Sequence, residues 1–178
     1  MKKLLMLVTA IMLVITMTAC GEKDTGLPEG MKLPENDIVD YYFYYPETWS
    51  LSRNDGMISA YVSDSDASSV SVTAFNSNQK VTSLDEYLAM DNTTYAEKLK
   101  STFLDVEILS DGEETKLHDA PARQFVFTAN VGGETYKFRQ IITFRFDYIY
   151  IMTYTSTLEG FDKHIDEVNK IVKEFKFK

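Results

Sequence analysis

The chain has 178 residues, with 18 Lys and Arg, 27 Asp and Glu, and a net charge of −9 at pH 7. This length fits one domain once any targeting segment is removed. The acidic balance argues against nucleic-acid binding, which depends on clustered Lys and Arg. The single cysteine, Cys20, excludes a disulfide within the chain, so packing alone has to stabilise the fold.

The N-terminus resembles a bacterial lipoprotein signal over residues 1–19. Lys2 and Lys3 give it a positive start, residues 4–15 are largely apolar, and the run Met-Thr-Ala-Cys ends at Cys20. This pattern predicts cleavage before Cys20, lipid on its thiol, and a location on the extracytoplasmic face of the cell membrane. Two acyl chains would anchor the protein stably, because each buried methylene contributes about 0.8 kcal/mol.

Two other interpretations of this segment remain open. One is an uncleaved transmembrane helix, but the apolar run is interrupted by threonines and is shorter than the ~20 residues that span a bilayer. The other is an ordinary signal peptide in which Cys20 stays unmodified. We favour the lipoprotein signal because the only cysteine of the chain lies at the cleavage position.

Residues 20–37 predict a flexible tether between the lipidated cysteine and a folded domain. The segment is polar and rich in glycine and proline. Such a composition buries too little apolar surface to fold by itself. The folded domain is therefore predicted over residues 38–178.

The first half of this domain predicts several strands. Residues 41–45 are five consecutive aromatics, which favours a strand that is covered on both faces. Residues 49–53 and 58–63 predict two short strands around an Asn-Asp-Gly turn at 54–56. Residues 69–75 alternate between apolar and polar side chains, as expected of a half-buried strand.

A helix is predicted to follow these strands. Ser83 and Glu86 have the spacing of a capping box, which marks a helix N-terminus. The weak helix formers at residues 92–94 predict a break in this helix. Its apolar stripe consists of Leu84, Leu88, Tyr95 and Leu99.

The second half predicts a hairpin and a closing helix. Residues 123–131 and 136–146 flank Gly132-Gly133, a strong hairpin signal, and residues 148–155 pair back across a tight turn. Apolar residues recur at helical spacing over 161–172. The order of strands, helix, strands and helix favours an antiparallel sheet with helices packed on it.

Four segments of the sequence resemble parts of PsbP-like domains. The first is the aromatic strand with its Tyr-Pro step and Trp49. The others are Ser-Leu-Asp-Glu-Tyr-Leu at 83–88, Ala-Pro-Ala-Arg at 120–123 and Glu-Phe-Lys-Phe at 174–177. Together they extend the resemblance over residues 38–178. They are packing residues rather than a catalytic signature.

The resemblance implies an α+β fold, an α/β/α sandwich whose central, mostly antiparallel sheet has helices packed on both faces. Members of this family include an extrinsic subunit of the plant oxygen-evolving complex and a nuclear Ran-binding protein. Both are similar to non-enzymatic binding or assembly factors. Because a fold does not fix a function, their partners do not transfer to this chain.

The sequence contains no recognised catalytic or metal-binding motif. The nucleophile elbow Gly-x-Ser-x-Gly, the zinc motif His-Glu-x-x-His and phosphate-binding glycine loops are absent. His164 lies in a charged helical segment and is interpreted as a surface residue, and His118 as part of a turn. Asp64 and Asp66 lack the further ligands of an EF-hand and are interpreted as a polar loop, with weak calcium binding as the open alternative. We therefore expect no enzyme activity, no metal site and no cofactor.

Three basic residues form the candidate partner-binding site. Lys137, Arg139 and Arg145 are separated by even intervals on one predicted strand, so they share a face of the sheet. Such a stripe on an acidic protein would suit an acidic partner or an anionic ligand. The alternative is a solvated sheet face, or salt bridges to neighbouring acids.

These observations predict a membrane-anchored extracytoplasmic lipoprotein that acts as a non-enzymatic protein-binding or assembly factor. Its predicted partners are the membrane, through the lipid, and a protein of the cell envelope. The alternative is a lipoprotein that binds a small ligand or a metal ion and is associated with a transporter.

Overall fold

The computed structural model describes residues 26–35, 39–54 and 57–178. The predicted signal at residues 1–19, Cys20 and the beginning of the predicted tether lie outside these ranges. Within them, no helix is both long and apolar enough to span a bilayer.

The described residues form the following elements. The strands are β1 (Met31–Lys32), β2 (Tyr41–Tyr42), β3 (Tyr45–Pro46), β4 (Ser50–Asn54), β5 (Met57–Ser63), β6 (Asp66–Asn76), β7 (Leu104–Leu117), β8 (Ala120–Val131), β9 (Glu134–Arg145), β10 (Tyr148–Thr157) and β11 (Lys176–Phe177). The helices are α1 (Leu84–Leu88), a 3₁₀ turn (Met90–Asn92), α2 (Tyr95–Thr102), α3 (Leu158–Lys163) and α4 (Ile165–Glu174).

Strands β4 to β10 form one large antiparallel sheet. Its order is β4-β5-β6-β10-β9-β8-β7, which places β4 and β7 at its two edges. The predicted hairpin is confirmed, because β8 and β9 pair around Gly132 and Gly133, whose φ angles are 67° and 92°. Glycine adopts such angles without steric cost. The predicted antiparallel sheet with helices is confirmed. The sheet makes up a larger part of the described structure than the helices do.

Side chains on the two faces of the sheet form two clusters. Along β9, Ile141 belongs to the first cluster, whereas Phe138 and Ile142 belong to the second. This division follows from strand geometry, since successive residues point to opposite faces. Helices α3 and α4 contribute to the first cluster together with residues 41–49, and α1 and α2 contribute to the second. Full burial of one large apolar side chain contributes ~1.5–3 kcal/mol.

The aromatic run at residues 41–45 is not the single strand that was predicted. β2 pairs with β11, and β3 pairs with β1, in two separate two-stranded ladders. Tyr41 and Phe43 are buried in the first cluster, while Tyr42 is 38% exposed. The aromatic run packs on one face of the large sheet and does not join that sheet. Only some of its side chains are therefore buried.

Part of the predicted flexible tether is packed on the domain. Met31 is 2% exposed and lies in the first cluster, and β1 pairs with β3. The Lys170 ammonium also donates a hydrogen bond to the Glu29 carbonyl. The tether prediction is therefore wrong for these residues, because the apolar side chain of Met31 packs in the first cluster although the segment around it is polar.

The predicted break in the first helical segment is confirmed. The 3₁₀ turn separates α1 from α2, and Asp91 and Asn92 have φ angles of 64° and 55°. Aspartate and asparagine tolerate this left-handed conformation better than other non-glycine residues. A reciprocal capping box forms at Thr94 and Glu97, where α2 begins. It gives α2 an N-terminus of its own.

Candidate binding groove at Arg123

Two adjoining hollows lie on the sheet face that carries α1 and α2. Their volumes are about 500 and 550 Å³. Asp85 and Arg123 line both of them, so the two hollows form one groove that we call the Arg123 groove. It runs between the α1–α2 segment and the hairpin formed by β7 and β8. Volumes of this size are typical of ligand sites.

Each hollow has walls from distant parts of the chain. The first is bounded by the start of α1, with Ser83 and Leu84, and by Thr115 on β7. The second is bounded by the 3₁₀ turn and by Gly112 and Phe125. The groove therefore exists only because the helical segment is packed across the sheet.

A bulge in β7 shapes the second hollow. The register between β7 and β8 shifts between Asp111 and Glu113, and Gly112 between them has a φ angle of 77°. A Cβ atom at Gly112 would lie 3.4 Å from the Phe125 ring. Bulges of this kind bend a strand and redirect its side chains, and they are frequent beside functional sites.

Arg123 connects the two walls of the groove. Its Nη1 donates to Glu114 Oε1 at 2.7 Å, and its Nη2 donates to Asp85 Oδ1 at 3.3 Å. These bonds, chiefly the one to Glu114, raise the pKa of Arg123 above its usual value. The guanidinium side chain is 27% exposed, whereas those of Glu114 and Asp85 are 86% and 78% exposed. The cation is thus held in place, and both anions face solvent.

The composition of the groove suits recognition. The hydroxyl-bearing residues Ser83, Thr93 and Thr115 line it, together with the apolar residues Leu84 and Leu88. Among its described lining residues there is no histidine or cysteine. Hydroxyls and carboxylates around an apolar floor can orient a ligand through hydrogen bonds and charge.

The structure places the three predicted partner-binding residues on one face of β9, as expected, but not in one open site. Lys137 Nζ lies 3.7 Å from Asp162 Oδ1 and 4.2 Å from the centroid of the Phe161 ring. Both partners belong to α3, which packs over this face. Lys137 therefore has the local salt bridge that the alternative interpretation described.

Arg139 and Arg145 also have local partners. Arg139 donates from Nε to Gln124 Oε1 at 2.6 Å and from Nη1 to Asn169 Oδ1 at 2.7 Å. Burial lowers the pKa of Arg139. The Arg145 guanidinium lies 4.3 Å from the centroid of Phe146 and 4.8 Å from that of Phe177. The three basic residues therefore contact the C-terminal elements α3, α4 and β11. Partner binding by these residues stays a prediction.

His164 is buried, and its interpretation as a surface residue is wrong. It is 7% exposed at the junction of α3 and α4, with Nδ1 2.7 Å from Glu167 Oε2 and Nε2 3.0 Å from Asp66 Oδ2. Trp49 Nε1 donates to Glu167 Oε1 at 3.2 Å. Hydrogen bonds from Ser68, with a smaller contribution from His164, hold the pKa of Asp66 well below its usual range. The charged residues next to His164 in the sequence had suggested an exposed position.

The other polar residues singled out in the sequence lie in turns or at the start of a strand. His118 has a φ angle of 56° in the β7–β8 turn, and its Nδ1 accepts from the Phe177 backbone at 3.3 Å. Asp64 lies in the turn between β5 and β6, whereas Asp66 begins β6 and accepts a hydrogen bond from the Ser68 backbone at 3.1 Å. In the three described ranges, no group of three or more His, Cys, Asp or Glu side chains is placed to hold a metal ion.

Sequence reasoning missed the Arg123 groove. Arg123 was noted only as part of the Ala-Pro-Ala-Arg segment that leads into the hairpin. One signal in the sequence was available. Gly112 and Glu114 lie close together on β7, and Glu114 pairs with Arg123 on β8.

No protein-family model and no curated protein matches this chain. Several solved structures are similar to it in fold. Cyanobacterial PsbP from Synechocystis has a TM-score of 0.57 at 10% identity, covering 89% of this chain and 99% of that one.

Two further solved structures are similar over most of their length. LpqN from Mycobacterium tuberculosis, described as involved in cell envelope biogenesis, has a TM-score of 0.54 at 11% identity and covers 83% of this chain and 90% of its own. A Pseudomonas aeruginosa protein of unknown function, proposed to be a regulator, has a TM-score of 0.57 at 16% identity and covers 81% and 94%. The expected resemblance is confirmed at the level of structure: this chain has the PsbP-like fold.

Proposed function

We propose that this protein is a membrane-anchored extracytoplasmic lipoprotein that binds a protein of the cell envelope through the Arg123 groove. In this proposal the domain is a PsbP-like α/β/α sandwich without enzymatic activity. The signal over residues 1–19 and the position of Cys20 support export and lipidation. The similarity to LpqN, described as involved in cell envelope biogenesis, supports an envelope location.

The observation that carries the proposal is the groove itself. Its two hollows meet at an arginine whose carboxylate partners, Asp85 and Glu114, remain largely exposed. Exposed charges around a concave, partly apolar surface are what a binding site offers a partner. The described lining contains neither imidazole nor thiol, two of the groups that enzymes use as base or nucleophile.

A second candidate function is the binding of a small ligand, as in a lipoprotein that serves a transporter. The volume of the larger hollow, about 550 Å³, favours it, because small-molecule sites range from ~300 to ~1,000 Å³. A ligand that binds the native state raises its stability. A thermal-shift screen of small molecules and metal ions would therefore reveal such a ligand as a concentration-dependent increase in melting temperature.

The test of the proposed function is a mild-crosslinking pull-down of the tagged full-length protein from its own membranes. Ala89 is exposed and lines the second hollow, so Ala89→Trp should block the groove. Ala67→Trp, at an exposed position of β6 outside the groove, is the matched control. Cys20→Ala removes the predicted lipid attachment.

We expect one dominant envelope protein that is retained with Ala67→Trp and lost with Ala89→Trp. Cys20→Ala should release the protein from the membrane fraction and lose the same partner. Equal recovery of the partner with both tryptophan variants would contradict binding through the groove. Membrane retention of Cys20→Ala would contradict the lipid anchor.

A further inference from the structure

The two carboxylates at the junction of the Arg123 groove keep part of their capacity to accept hydrogen bonds. Both terminal nitrogens of Arg123 donate to carboxylates within the protein. Asp85 and Glu114 each use one oxygen for these bonds and keep a second oxygen, and their side chains are 78% and 86% exposed. A carboxylate accepts several hydrogen bonds, so both can receive another donor. An incoming anion would instead be repelled by these two carboxylates, which both contact Arg123.

The strand that borders the groove adds negative charge. It carries five acidic residues and one basic residue, Lys116, in a chain whose net charge is −9. The acids are Asp105, Glu107, Asp111, Glu113 and Glu114. Of the charged residues on this strand, Asp111, Glu114 and Lys116 line the groove. Complementary charge favours the encounter with a basic partner and disfavours an acidic one.

The shape of the groove indicates how such a partner would lie. Two adjoining hollows share Asp85 and Arg123 at their junction. An extended polypeptide segment projects alternate side chains to one side, and successive hollows can accept them. The apolar side chains of Leu84 and Leu88 would contact the aliphatic stems of long basic side chains.

Addition of a strand to the free edge of β7 fits the structure less well. The register between β7 and β8 shifts at three places, between Leu104 and Glu107, between Ile108 and Ser110, and between Asp111 and Glu113. Bulges and charged side chains on an edge strand oppose pairing with another strand. The partner is therefore placed in the groove and not along the edge.

We infer that the Arg123 groove binds a basic, extended polypeptide segment whose Lys or Arg side chains pair with the exposed oxygens of Asp85 and Glu114. In this arrangement Arg123 occupies the place of one such basic side chain and holds both carboxylates in position. The inference rests on the proposed function, since it specifies the chemistry of the partner for the same groove.

The test is a selection of random twelve-residue peptides on the full-length lipidated protein in nanodiscs, with a peptide synthesised from the consensus as the probe. We expect a consensus enriched in Lys and Arg. Asp85→Asn combined with Glu114→Gln should weaken binding of the probe about tenfold, because it removes two exposed charge pairs. Added salt should weaken it as well.

The matched control is Asp105→Asn combined with Glu107→Gln. It removes the same amount of charge at two positions of β7 outside the hollows, and binding of the probe should change less than twofold. An acidic or uncharged consensus would overturn the inference, as would an equal loss in both double variants.

The two proposals fail in distinguishable ways. If the membrane pull-down yields a partner that depends on Ala89 while the peptide consensus is not basic, only the basic chemistry is wrong. If the pull-down partner does not depend on the groove, the proposed function is wrong, whatever the consensus.

Discussion

His164 Nε2 lies 3.0 Å from Asp66 Oδ2, although the two residues are 98 positions apart in the chain. The contact joins the start of β6 to the junction of α3 and α4 and so fixes the C-terminal helices on the sheet. Glu167 lies on the other nitrogen of the same imidazole and also accepts from Trp49. Three segments of the domain therefore meet at one buried side chain.

Replacement of this histidine should destabilise the domain. His164→Ala would leave Asp66 and Glu167 without their shared partner, and we expect the free energy of unfolding to fall by about 2 kcal/mol. Trp49, the only tryptophan, contacts His164 edge to face and reports unfolding through its fluorescence in urea. His118→Ala, at the exposed turn, should cost less than half as much, and equal losses would contradict the structural role of His164.

The Asp66 carboxylate should make stability depend on acid pH. Its pKa is lower in the folded state than in the unfolded chain, where it is about 3.9. The contribution of the Asp66 carboxylate to the free energy of unfolding is therefore fully present above its pKa in the unfolded chain. It is lost as the pH falls towards its lower pKa in the folded state.

The measurement compares wild type with Asp66→Asn by urea unfolding from about pH 6 down to about pH 3. The wild type should be more stable near neutral pH, and the difference should shrink as the pH falls below about 4. A difference that stays constant over this range would show that the charge of Asp66 does not contribute.

Gly160 gives a prediction that opposes the usual helix preference. Alanine normally stabilises a helix interior by about 1 kcal/mol relative to glycine. A Cβ atom at Gly160, however, would lie 2.6 Å from Ser156 Oγ, which is buried and 2.7 Å from Ser68 Oγ. Gly160→Ala should therefore lower the melting temperature in calorimetry.

Gly132→Ala is the comparison for Gly160→Ala. Its Cβ atom would have no heavy atom within 4 Å, so only the strain of its φ angle of 67° applies. A left-handed φ angle costs alanine about 1–2 kcal/mol. A Gly160→Ala variant that is as stable as wild type, or more so, would show that the serine pair adjusts without cost.

Arg139 should contribute more to stability than Lys137. Its guanidinium is partly buried and bridges Gln124 on β8 to Asn169 on α4, whereas Lys137 pairs with the exposed Asp162. We expect Arg139→Ala to lower the free energy of unfolding by about 1–2 kcal/mol and Lys137→Ala by less than about 1 kcal/mol. Urea unfolding of both variants checks this, and the reverse order would contradict the assigned contacts.

The features that sequence reasoning predicted correctly are mostly local. The Gly132-Gly133 hairpin and the alternation along β9 depend on neighbouring residues, and so does the helix break near Asn92. Turn chemistry and strand periodicity determine them without knowledge of the rest of the fold.

The features that it missed depend on residues that are distant in sequence. The charged neighbours of His164 suggested exposure, but Asp66 approaches it from another strand. Arg123 reaches Asp85 only because α1 lies across the sheet. Met31 is buried because the domain presents a site for it, which the polar composition around it could not indicate.

The most direct test of the central claim is site-specific photo-crosslinking in the native membrane. A benzophenone amino acid replaces Ala89, which lines the groove, or Ala67, which is exposed outside it. The account predicts a crosslink from position 89 to one envelope protein, through a segment rich in Lys and Arg, and at least a tenfold lower yield from position 67. Equal yields at both positions, or a crosslink to that protein from position 67 alone, would contradict binding through the Arg123 groove.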